Sequence, residues 1–148
     1  MSCQHLIVSS IKQLVSATPR LTAALPGDLH YGKADALTNR PFGSLTVEEQ
    51  GREYNSGGGA LVHYLVTLKL YGKQRVRTVG ELLQEFGALL NGTRSLPTIP
   101  EELADVVSII PTGGPMAEDD AEEYGEDCVT GQASWLVTLN ESEKVLIE

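Results

Sequence analysis

The segment ALVHYLVTLKLY, residues 60–71, limits what this chain can fold into more than any other stretch. Ala60, Val62, Tyr64, Val66, Leu68 and Leu70 fall on one side of an extended backbone, and Leu61, His63, Leu65, Thr67, Lys69 and Tyr71 on the other. A wholly apolar side against a mixed one predicts a long antiparallel strand with one face in a core. VTGQASWLVTL, residues 129–139, repeats the period of two. A sheet with one apolar face needs a covering layer. TVGELLQEFGALLNG supplies one, because Val79, Leu82, Leu83, Phe86, Leu89 and Leu90 recur at helical spacing. Thr78 and Glu81 read as a capping box at its start, and Asn91-Gly92 as its stop.

The remaining elements are shorter. Leu6, Ile7, Ile11, Leu14 and Val15 predict an N-terminal helix that Ser2 can cap. Thr18-Pro19 reads as the N-cap and first residue of a further helical piece. Residues 26–43, with Pro26, Gly27, Gly32, Asn39 and Pro41, read as a surface loop. SLTVEE predicts a strand, EYNSGGG a hairpin connection, and DVVSII a short strand followed by the turn-rich PTGGP. The predicted fold class is therefore α+β: an antiparallel four-stranded sheet with helices packed on one face, in the order α-β-β-α-β-β. A length of 148 residues fits one domain, 1–148, with an acidic loop at 112–128 inside it.

The net charge of −9 is unevenly spread. Residues 1–58 are neutral, residues 59–97 carry +3, and residues 98–148 carry −12. Seven of the eleven residues from Ala117 to Asp127 are carboxylates. So acidic a chain is a poor non-specific binder of nucleic acid, where affinity comes from neutralising phosphate. No apolar run approaches the ~20 residues of a membrane span. The N-terminus lacks a basic region followed by a long apolar one, so no signal peptide is read. Cys3 and Cys128 read as two reduced thiols of a cytoplasmic product.

Catalytic and cofactor patterns fail one by one. Gly57–Gly59 are followed by a strand, not by the helix a phosphate loop requires. His5, His30 and His63 form no metal-binding pair at i, i+4 spacing. An EF-hand register with Gly125 at position 6 puts Gly131 where the bidentate Glu belongs. A looser divalent-cation site stays open, but the plain reading of the acidic run is a solvated, self-repelling loop. Cys128 with a distant His is a pairing that coincidence also produces. The residues thus give no enzyme assignment, no cofactor and no metal site.

Taken together, IVSSIKQLV, GDLHYGKADALTNRPFGS, LVHYLVTLKLYGK, TVGELLQEFGALLNG, DVVSIIPTGG and ASWLVTLNE give a layout that resembles the tail terminator (tail-completion, minor tail) proteins of long-tailed bacteriophages. The likeness covers nearly all of residues 3–141 and is one of element order. The acidic insert departs from it. The resemblance implies a virion protein of the tail or neck, made in the host cytoplasm. It implies a homo-oligomeric ring, usually a hexamer, that binds the tail-tube protein, stops tube growth and joins the tail to a head-connector protein. It implies neither sequence-specific nucleic-acid binding nor a membrane. A ring needs two different edges that fit each other. Lys69, Lys73, Arg75 and Arg77 are candidates for a positive edge, with Glu118, Asp119, Asp120, Glu122 and Glu123 for a negative one. Alternatively, the acidic loop faces the channel and repels DNA. The rival readings are another phage neck, head-completion or tail-tube subunit, an acidic binding or inhibitor module, and a metal-dependent enzyme.

Overall fold

A computed structural model describes residues 3–26, 28–32, 42–56, 58–73, 76–91, 96–119 and 128–142. The elements run α1 (Gln4–Ser16), α2 (Pro19–Ala24), β1 (Leu29–Tyr31), β2 (Phe42–Tyr54), β3 (Ala60–Lys73), α3 (Val76–Leu90), β4 (Ala104–Asp119) and β5 (Cys128–Glu141). The strands form one five-stranded sheet in the order β1-β2-β3-β5-β4. This corrects the predicted antiparallel four-stranded sheet and its element order. The fifth strand, β1, pairs with β2 in parallel, so the sheet is mixed. Three residues inside a Gly-, Asp- and Pro-rich stretch leave no periodicity to read. Backbone bonds hold them: Gly43 N–H donates to the Asp28 carbonyl at 3.0 Å, and Gly32 N–H to the Leu45 carbonyl at 2.8 Å. Gly32 reaches this geometry with φ of 81°, and Asp28 with φ of 65°; glycine adopts that region freely and Asp more readily than most residues.

Two further boundaries differ from expectation. α3 starts at Val76, so Thr78 lies within its first turn instead of capping it. β4 runs straight through PTGGP to Asp119, with register shifts between Val106 and Ser108, Pro111 and Gly113, and Gly113 and Met116. β4 is an outer strand. A proline and bulges are tolerated there because the outward-facing backbone owes no bond to a neighbour. The Thr18 N-cap with Pro19 in the first helical turn matches expectation.

One hydrophobic core joins the helices to the sheet. The inner face of β3 is fully buried, as are Leu45 of β2 and Leu139 of β5. Ile7 and Ile11 of α1 and Leu83, Phe86 and Leu90 of α3 belong to the same cluster. Thr98 fastens the segment before β4 to α1. Its hydroxyl donates to the Leu6 carbonyl at 2.7 Å, and its N–H donates to Ser10 Oγ at 3.1 Å.

Candidate assembly surfaces

Of the positions expected to carry charge for assembly, Lys69 and Lys73 of β3 and Glu118 and Asp119 of β4 fall toward one end of the sheet. Lys69 lies on the outer face of β3, its ammonium 5.2 Å from the Tyr71 ring centroid. Tyr71 stacks on Phe42 at 4.7 Å between centroids. Lys73 ends β3, and Arg77 falls in α3. Glu118 and Asp119 end β4. Across the sheet Tyr71 pairs with Thr130, and Thr130 with Glu118. The basic end of β3 and the acidic end of β4 are thus separated by β5 alone, about 10 Å on two strand spacings. The side chains of Lys73, Arg77, Glu118 and Asp119, and all of Arg75, Asp120, Glu122 and Glu123, lie outside the described residues.

The outer face of the sheet is uncovered by any described helix, because α1 and α3 both pack on the inner one. Register aligns Glu48, Leu65, Leu136 and Ile110 in a row across all four long strands. Ile110 is 53% exposed and Val107 47%. Around them the face is hydroxyl-rich, with Thr67 and Ser134 hydroxyls 3.3 Å apart and His63 Nδ1 2.9 Å from Thr138 Oγ1. His63 is therefore a half-buried sheet residue bonded to a threonine. The sequence reading of 60–71 saw this face only as mixed. The aliphatic row was visible in part as Leu65, but its continuation onto Leu136 and Ile110 depends on register.

At the opposite end of the sheet a carboxylate is sealed in the core, a feature that one-dimensional reading missed. Glu141 pairs with Ala60 on one side and Ala104 on the other, and its side chain is fully buried. The Tyr64 hydroxyl donates a short bond to Glu141 Oε2. Arg52 Nη2 lies 3.6 Å from Oε1 and 2.6 Å from Glu49 Oε1. Among the described residues, Arg52 Nη1 and Glu141 Oε1 have no hydrogen-bond partner. Burial lowers the Arg52 pKa, but the bond to Glu49 and the charges of Glu141 and Glu49 outweigh it and raise the net value. Cys3, the N-cap residue of α1, meets the same carboxylate.

Burial, then the charge of Glu141 and a hydrogen bond to it, push the Cys3 thiol up from 9.0 to about 12. Such a thiol is protonated and inert at neutral pH. A raised thiol pKa favours folding fully below pH 9, and the contribution fades as pH climbs toward 12. The stability gap between wild type and Cys3→Ala should therefore shrink by on the order of 1–2 kcal/mol between pH 8 and pH 10.5 in urea titrations. A constant gap would show that Cys3 does not titrate in this range.

Among the described residues, no helix is long and apolar enough to cross a membrane. Among the same residues, no group of three His, Cys, Asp or Glu side chains is disposed to hold a metal ion. A five-stranded mixed sheet with helices on one face, and a second face that no described helix covers, defines a two-layer α/β domain. The same fold occurs in a chain of the virion of the native gene transfer agent particle. That match has a TM-score of 0.56 and 12% identity, and covers 89% of this chain and 92% of the other. No protein-family model and no curated protein sequence matches the chain.

Proposed function

We propose that this chain is a structural component of a phage-type virion and, within that class, a tail terminator. The observation that carries the class is the near end-to-end likeness to a gene transfer agent virion chain, 89% of one and 92% of the other. The finer role draws on the layout of the sequence. In this reading the chain forms a ring, usually hexameric, on the end of the tail tube, stops its growth and offers a face to the head connector. It works through surfaces, without a catalytic residue or cofactor. Its partners are further copies of itself, the tail-tube protein and the head-connector protein. A tail-tube or head-completion subunit is the second reading, since the fold likeness concerns a virion chain without specifying its position.

Mixing the purified chain with polymerising tail-tube protein separates these readings. A terminator gives single rings on tube ends by negative-stain microscopy and shortens the mean tube length as its concentration rises. A tube subunit polymerises into long tubes by itself. A chain that remains monomeric at high concentration and leaves tube length unchanged would sink the terminator role.

A further inference from the structure

The sheet order leaves two lateral backbones open. On the side of β2 away from β3, β1 covers only Gly43, Ser44 and Leu45, and no described strand pairs with that side from Thr46 to Tyr54. At the other margin no described strand pairs with the outer side of β4. β2, β3, β5 and β4 alternate in direction across the sheet, because each pairs antiparallel with the next. β2 and β4 therefore run in opposite senses. A second copy set beside the first in the same orientation brings its β2 antiparallel to β4. No inversion is needed, and the sheet simply continues.

Side chains favour the same margins. The exposed large apolar residues among those described are Tyr31, Tyr54, Val107 and Ile110. All four sit on lateral strands, Tyr31 and Tyr54 at the β1–β2 margin and Val107 and Ile110 on β4. Exposed apolar residues on a long open edge are a hazard unless a partner covers them. Both margins are also interrupted, β2 by one register shift around Gln50 and β4 by three, between Val106 and Ser108, Pro111 and Gly113, and Gly113 and Met116. Bulges bar indiscriminate strand addition and leave pairing to a matched partner.

We infer that β4 of one copy pairs with the Thr46–Tyr54 edge of β2 in the next, head to tail. This deepens the assembly role proposed above by naming the contact and its occupant, a second copy of the chain. Such an interface is heterologous and closes into a ring when its rotation permits. The open edge of β2 is nine residues long, or about 30 Å. Over two layers about 20 Å thick it presents about 600 Å² per copy, just below the roughly 800 Å² of a standard interface. Isolated copies should thus associate weakly, and a tube end that aligns them should complete the ring.

Cysteine cross-linking tests the pairing. In a Cys3→Ala/Cys128→Ala background that melts cooperatively, Ile110→Cys is mixed in turn with Thr46→Cys, Glu48→Cys and Tyr54→Cys under mild oxidant. The mixtures should cross-link at least tenfold more than any single variant alone, with Glu48→Cys the strongest because it shares a row with Ile110. Equal cross-linking by a single variant alone would mean like edges meet and would overturn the pairing. So would the absence of cross-links at millimolar protein. If wild type caps tubes while the mixtures do not cross-link, the edge assignment fails and the terminator role survives. If the mixtures cross-link but tubes are not capped, the edge pairing stands and the terminator role fails.

Discussion

Glu141→Ala should lower the unfolding free energy by about 3–5 kcal/mol, as expected when one partner of a buried charged cluster is removed. The carboxylate accepts from Tyr64 and faces Arg52 at 3.6 Å, with essentially no access to water. Alanine would leave a buried phenol without its acceptor and a guanidinium without one of its two anions. The melting temperature should fall by roughly 6–20 °C, at about 2–4 °C per kcal/mol for a chain of this size. Replacing the cluster in concert gives a different result. Glu141→Leu with Arg52→Met and Tyr64→Phe should recover most of the loss, because apolar groups of similar volume often stabilise as well as a buried ion pair. A Glu141→Ala protein that melts within 2 °C of wild type would mean that the cluster contributes nothing net.

Phe86→Ala is the second large effect, with an expected cost of about 3–5 kcal/mol. Phe86 is fully buried on the face of α3 that meets the sheet. Truncation removes its transfer free energy and leaves a cavity that a sheet on one side and a helix on the other cannot collapse into. Phe86→Leu should cost appreciably less. Urea denaturation with an unchanged slope would identify the loss as one of stability and not of unfolded-state compactness. A loss below 1 kcal/mol would mean that α3 is free to shift into the gap.

What could be read directly was whatever repeats with the period of one element. The apolar face of 60–71 became the buried face of β3, and the stripe from Val79 to Leu90 became the inner face of α3. The parallel strand β1 was illegible because three residues complete only one alternation, and its surroundings are turn formers. The extent of β4 was misjudged for a related reason. Pro and Gly read as breakers, yet on an outer strand they interrupt only one set of bonds. Assembly surfaces were harder still. Charge drew attention to Lys69 and the acidic run, whereas Leu65, Leu136 and Ile110 lie far apart in the chain and align only through strand register. Glu141 offered no signal at all, since an acidic residue at the end of a strand usually faces water.

The single tryptophan gives the molecule a built-in optical reporter. Trp135 is buried in β5 and donates its indole N–H to Asn91 Oδ1 at 2.8 Å, at the end of α3. Its emission should be blue-shifted in the native state. Any event that lifts the end of α3 from the sheet should shift it to the red before the strands themselves separate. Assembly can therefore be followed in the ultraviolet without labels, and a tightening of the helix layer on ring formation would be distinguishable from simple edge contact.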